Sequence, residues 1–205
     1  MTFITYLRSE YSNSEIRYSN LCFEKRKTKN KERKTKNEFH HKPNKTPNEN
    51  MLQVGQKAPG FKLLDTEKNE VTLEQFKGKN LVIFFFPMAW TGGCTKEMCA
   101  IQEDYNGYSE LNANVIGISI DTFFALKHFA ADNKITYPLL SDFNKETIKA
   151  YDVVHHEFAF GYKDVAKRST FVLDTEGTIR FIEILPSPGD FPNMDAIKAA
   201  VQSLK

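Results

Sequence analysis

The sequence predicts a three-layer α/β domain built on a mixed β-sheet. Three observations carry that prediction. LVIFFF at 81–86 and NVIGISI at 114–120 are continuous apolar runs, as suits strands covered on both faces. Helix-like segments separate the strand-like ones. Near the end, FVLDTEGTIRFIEI at 171–184 reads as two strands joined at a tight Asp-to-Gly turn.

In chain order, strands are expected at 59–64, 80–86, 113–120, 169–174 and 178–184, each a short apolar or β-branched run bounded by Gly, Asp or Asn. Helices are expected near 94–108, 122–132, 145–151 and 192–204, with Asp121 or Thr122 as N-cap of the second. The folded domain is therefore 51–205. At 205 residues the chain has room for one such domain and an appendage.

Charge divides the two parts. Residues 1–50 carry 12 Lys and Arg against 6 Asp and Glu, whereas residues 51–205 carry 16 against 20. After Cys22 the first part is rich in Lys and Asn, repeats RKTKN at 26–30 and 33–37, and has almost no apolar residues. Such composition cannot offset ordering entropy, so a disordered basic extension is expected at 1–50, with Cys22 an incidental thiol. Without interleaved aromatics it points to no specific nucleic acid. Met51 opens the folded portion, so a start at Met51 is an alternative to a functional extension. Neither a targeting signal nor a membrane span is legible, and a soluble cytoplasmic protein is expected.

The chemistry is expected in PMAWTGGCTKEMC at 87–99, which holds two of three cysteines. Cys94 falls in the first turn of a helix entered from a strand end. Unpaired amides and the positive end of the helix dipole there favour thiolate over thiol, and Gly92 and Gly93 let backbone N–H groups approach a ligand. Cysteines in such settings are nucleophiles at neutral pH. Five helical steps place Cys99 roughly 140° around from Cys94, with Cα atoms roughly 8.6 Å apart, beyond the approximately 7 Å limit for a disulfide. An intact helix cannot join them. Met98, Ile101 and Tyr105 mark the buried stripe of this helix, while Cys99 falls beside Thr95, Gln102 and Asn106, on a flank read as polar and exposed.

PMAWTGGC resembles the PxxxTxxC signature of the peroxiredoxins, the alkyl hydroperoxide reductase and thiol-specific antioxidant superfamily, and the resemblance covers about 52–204. GCTKEMC is similar to the bacterioferritin comigratory protein, or peroxiredoxin Q, branch; TYPLLSDF and KRSTFVLDTEGTIRF are more similar to the alkyl hydroperoxide reductase E branch. The resemblance implies a thioredoxin-like fold and a peroxidase that needs no metal, haem or flavin. It implies that Cys94 attacks hydrogen peroxide or an organic hydroperoxide, that Cys99 resolves the sulfenic acid, and that thioredoxin or a similar dithiol protein recycles the enzyme. Arg168 matches the family arginine, a fixed cation for the developing charge, and Glu97 the acid that orients it. Thr91 would accept from the peroxide, Pro87 would cover the thiolate with apolar surface, and Gly93 would offer its amide. Trp90 is expected as a packing wall behind the site, with direct substrate contact as the alternative.

Two alternatives remain: a one-cysteine peroxidase using an external thiol, and a redox-sensing binding protein acting through its basic arm. Monomer and homodimer are both open. A disulfide reductase is disfavoured by the lack of CxxC, and His155 and His156 have no cysteine or carboxylate at ligand spacing for a metal.

Overall fold

The computed structural model describes residues 51–204. The expected extension at 1–50, with Cys22 and the repeated RKTKN, lies outside the described residues. The described strands are β1 (Lys62–Asp65), β2 (Glu70–Thr72), β3 (Asn80–Phe85), β4 (Ala113–Ser119), β5 (Leu139–Ser141), β6 (Val154–His155), β7 (Val165–Ala166), β8 (Ser169–Leu173) and β9 (Ile179–Ile184). The α-helices are α1 (Gly92–Glu103), α2 (Tyr105–Glu110), α3 (Phe123–Asn133), α4 (Glu146–Ala150) and α5 (Met194–Gln202).

A seven-stranded mixed sheet in the order β2-β1-β5-β4-β3-β8-β9 forms the centre. β3, β4 and β5 run parallel, and β8 and β9 add an antiparallel hairpin beside β3. β3 is buried at every position, as its unbroken apolar run requires. Its alternate residues Val82 and Phe84 join a core with Met98, Ile101, Leu126, Phe129 and Val201, beneath α1, α3 and α5. Leu81, Ile83 and Phe85 join a second core with Ile148, Tyr151 and Phe171, on the face of α4. This is the expected three-layer arrangement.

Element boundaries differ where local chemistry intervenes. The first helix starts two residues earlier than expected and breaks at Asp104, whose carboxylate accepts from Lys198 Nζ on α5 at 2.8 and 2.9 Å. Gly107 lets that pair form, because a Cβ there would lie 2.7 Å from Asp104 Oδ1. Thr122, rather than Asp121, caps α3, accepting from the Ala125 amide at 3.3 Å. The first strand begins at Lys62 and not at Pro59. β5, although internal to the sheet, is only three residues long, below the length at which an apolar run reads as a strand. Asp174 builds the late turn by accepting from the Glu176 and Thr178 amides at 3.0 and 2.9 Å, and Gly177 takes φ 72°. Among the described residues no helix is long and apolar enough to cross a membrane.

Phe85, Tyr151 and Phe171 pack ring against ring at 5.1 to 5.8 Å in the second core. Phe171→Ala is expected to cost about 3–5 kcal/mol through lost transfer energy and a cavity. The urea midpoint at unchanged m-value checks this; a loss below about 1 kcal/mol would show that the site collapses without cost.

Candidate active site

The site lies where β3 ends. Its last residue, Phe85, pairs with Ser169, the first of β8, so the register sets Arg168 beside the loop that leaves β3. That loop, 86–91, crosses the carboxyl ends of the parallel strands, where open α/β sheets characteristically bind ligands. Ala89 N donates to Asp121 Oδ2 at 2.7 Å, and Ser119 Oγ donates to the same oxygen at 2.8 Å. A carboxylate at the end of β4 thereby braces the loop. Trp90 then turns the chain with φ 66°, a conformation rare for a bulky side chain, and α1 begins at Gly92.

Cys94 is a free, buried thiol in the first turn of α1. Arg168 is also buried, and its guanidinium fork serves three partners. Nη1 donates to Glu97 Oε2; Nη2 donates to Cys94 Sγ at 3.5 Å and to the Pro188 carbonyl at 3.0 Å. Gly93 permits the approach: a Cβ there would stand 3.2 Å from Nη2, whereas Gly92 faces open space. Of the two glycines, the second is the one a side chain would disturb, and the group it admits is the arginine.

Thr91 is the N-cap residue, and its hydroxyl donates to the Met88 carbonyl at 3.0 Å, leaving its oxygen lone pairs for another donor. Pro87 is buried in the same loop. The structure thus brings Cys94, Glu97 and Arg168 into direct contact and places Thr91, Pro87 and Gly93 in the loop and helix start beside them.

Two expectations need correction. Trp90 is not a wall behind the sulfur: it is 51% exposed and packs its ring edge-on to Phe129 at 5.5 Å, because the positive φ swings it outward onto α3. Cys99 is not exposed either, at 8%. Its flank is polar as expected, but the end of α3 covers it. Cys99 Sγ lies 3.9 Å from Asn133 Oδ1, and Gln102 Oε1 accepts from the Thr136 amide and hydroxyl at 2.7 and 3.1 Å. Polar side chains that pair across an interface can be covered as well as apolar ones. Sequence reasoning missed Asp121 as a brace and Pro188 as an acceptor; an Asp just past a parallel strand end was the only signal, and a backbone carbonyl leaves none. His156 faces Asp164 at 2.9 Å, and no cluster of metal ligands occurs among the described residues.

Glu97 is fully buried, and burial, the largest influence, pushes its pKa from 4.5 up to about 7; Arg168 pulls it down and Glu183 adds to the rise. Burial also opposes the Arg168 charge, but the neighbouring Glu97 carboxylate and Cys94 sulfur outweigh it and hold the guanidinium pKa above its ordinary value. Among the described residues, Glu97 Oε1 and Arg168 Nε have no hydrogen-bond partner.

The AhpC/TSA family matches residues 54–182. Chloroplastic peroxiredoxin Q of Triticum aestivum is 37% identical over 128 residues, covering 62% of this chain and 57% of its own. A solved peroxiredoxin-like protein from Aquifex aeolicus has a TM-score of 0.69 at 27% identity, over 76% of this chain and 89% of that one. Peroxidoxin BcpB from Mycobacterium tuberculosis has a TM-score of 0.67 at 28% identity, over 75% and 99%. The fold is thioredoxin-like.

The Glu97 shift has a sign in stability. Between pH 4.5 and about 7 the folded state holds a proton that the unfolded chain has lost, so this group makes stability fall as pH rises through that window. The slope is at most about 1.4 kcal/mol per pH unit. Urea unfolding of wild type and Glu97→Gln across the window should therefore show the wild type losing stability relative to the variant with rising pH. Parallel curves would contradict it.

Proposed function

The chain belongs to the AhpC/TSA family, the peroxiredoxins, which makes it a thiol-dependent peroxidase, and we propose that Cys94 is the attacking thiolate, Cys99 the resolving cysteine and a thioredoxin-like dithiol protein the reductant. The observation that carries the assignment of Cys94 is the buried Arg168 fork, which aims Nη2 at Cys94 Sγ from 3.5 Å while Glu97 holds Nη1.

The thiolate sulfur bonds to the terminal oxygen of the hydroperoxide as the O–O bond breaks. The electron pair leaves on the other oxygen, which takes a proton to become an alcohol, or water when the substrate is hydrogen peroxide. Sulfur is oxidised by two electrons to sulfenic acid. As negative charge moves from sulfur toward the leaving oxygen, a donor fixed beside both is worth more than water, because it needs no reorganisation. Arg168 is such a donor, and the α1 amides are others. Thr91, with its proton committed to Met88, is left to accept from the peroxide O–H. Buried Pro87 contributes apolar cover and no competing N–H.

In resolution, Cys99 in its reduced form displaces water from the Cys94 sulfenic acid to give a disulfide. Both residues sit in one continuous helix, Gly92–Glu103, and five helical steps separate their Cα atoms by roughly 8.6 Å. The first turns of α1 must therefore unwind, and Cys99 must leave the cover of Asn133. A dithiol reductant then restores both thiols. The one-cysteine reading, with an external thiol taking the sulfenic acid, draws support from the burial of Cys99.

Cys94→Ser is expected to abolish peroxide turnover, since an alcohol has almost no anion near neutral pH; unchanged turnover would remove Cys94 from the mechanism. Arg168→Met is expected to slow oxidation of Cys94 by at least about a hundredfold, read by rapid-mixing fluorescence; a trace like that of wild type would contradict it. One equivalent of peroxide is expected to link Cys94 to Cys99. Trypsin cuts at Lys96 between them, so non-reduced mass spectrometry should find the two peptides joined until reductant is added. Cys99→Ser should keep fast oxidation of Cys94 but recycle poorly with thioredoxin. Absence of the linkage, with normal recycling of Cys99→Ser, would put the one-cysteine reading in its place.

A further inference from the structure

Among the described residues, the buried site holds one cation, Arg168, and two groups able to become anions, Cys94 and Glu97. Arg168 Nη1 is taken by Glu97 Oε2, and Nη2 reaches Cys94 Sγ at 3.5 Å. Both acids lie on one face of α1, three residues apart, and neither is open to water. With both ionised the cluster would carry a net negative charge in a dry site; with both protonated the buried guanidinium would lack a counter-ion. Either state is costly. The arrangement with one proton between the two acids is neutral.

We propose that Cys94 and Glu97 share a single proton through Arg168, so that the reactive thiolate forms by transfer of the thiol proton onto Glu97. The exchange is Cys94–SH + Glu97–COO⁻ → Cys94–S⁻ + Glu97–COOH, with the proton count and the charge of the site unchanged. Glu97 is thus a proton-holding and positioning residue, beyond orienting the arginine. This rests on reading Cys94 as the attacking thiol.

Three further observations agree. Glu97 Oε1 is buried and has no partner among the described residues, which leaves an oxygen able to carry the proton without breaking the Oε2 contact to Arg168. Burial already pushes the Glu97 carboxyl into the neutral range. Among the described residues, the other groups facing it add no second cation: Glu183 on β9 disfavours ionisation of Glu97, and Tyr137, whose hydroxyl donates to the Met98 carbonyl at 3.0 Å, remains protonated because burial and Glu97 both raise its pKa. Pro188 contributes only a carbonyl.

Sharing makes the two ionisations reciprocal, since whatever Glu97 does to Cys94, Cys94 does to Glu97. Glu97→Gln keeps an oxygen acceptor for Nη1 but removes the competing charge. The full guanidinium charge then falls to the thiolate, and the ultraviolet thiolate absorbance of Cys94 should move to lower pH by about one unit, the scale of one neighbouring charge. A role confined to holding Arg168 in place predicts no shift, or a shift to higher pH as the arginine loosens, and either result overturns the proposal. The reciprocal measurement uses Cys94→Ser and infrared difference spectra of the carboxyl carbonyl band. Without a rival anion, Glu97 should ionise at lower pH than in wild type; an unchanged carboxyl titration would also overturn it. Both are equilibrium titrations. Coupled titration in a chain that fails to reduce peroxide would sink the peroxidase reading alone, and uncoupled titration in an active enzyme would sink proton sharing alone.

Discussion

The site depends on one buried guanidinium. Arg168 is held where water cannot solvate it, so the partners of its two terminal nitrogens come from the protein: a carboxylate, a sulfur and a carbonyl from Glu97, Cys94 and Pro188. Removing one member of such a cluster strands the others, at a cost typically of about 3–5 kcal/mol. A planar fork with fixed donor directions suits three partners at once, which a lysine ammonium on a flexible stem would not hold in the same way.

The fold exists, from this point of view, to bring distant segments to that fork. The antiparallel register of β3 and β8 delivers Arg168 to the end of β3. The helix that follows β3 delivers Cys94 and Glu97 on one face, and the bare Cα of Gly93 lets the fork reach the sulfur. The segment after β9 delivers the Pro188 carbonyl. Asp121, at the end of β4, ties the loop between β3 and α1 to the sheet through the Ala89 amide. On the proposed resolution by Cys99, the same helix that presents the thiol must open for Cys99 to reach it, so order around Arg168 would favour attack on peroxide while local unfolding would favour resolution.

Much of this was legible in the residues. The continuous apolar runs marked β3 and β4, Asp174 and Gly177 marked the hairpin, and Pro87, Thr91 and Cys94 at their spacing marked the segment from loop to helix start that the structure sets beside Arg168. β5 was not legible, because three residues give no periodicity. Cys99 was placed on the correct flank of its helix but in the wrong environment, since a helical wheel knows nothing of the Asn133 and Thr136 segment that covers it. Trp90 was misplaced for a related reason: its outward orientation follows from a positive φ that residue type argues against. Pro188 acts through its backbone, which carries no residue-specific signal.

The most direct test of the account is the pH dependence of Cys94 alkylation by iodoacetamide, compared between Glu97→Gln and the double variant Glu97→Gln/Arg168→Met. No buried carboxylate is stranded in either, so the comparison isolates the guanidinium. If Arg168 holds the thiolate, the double variant should need a distinctly higher pH to reach half its maximal alkylation rate. Superimposable profiles would show that the helix start alone sustains the thiolate and that the arginine is not the interaction on which the site depends.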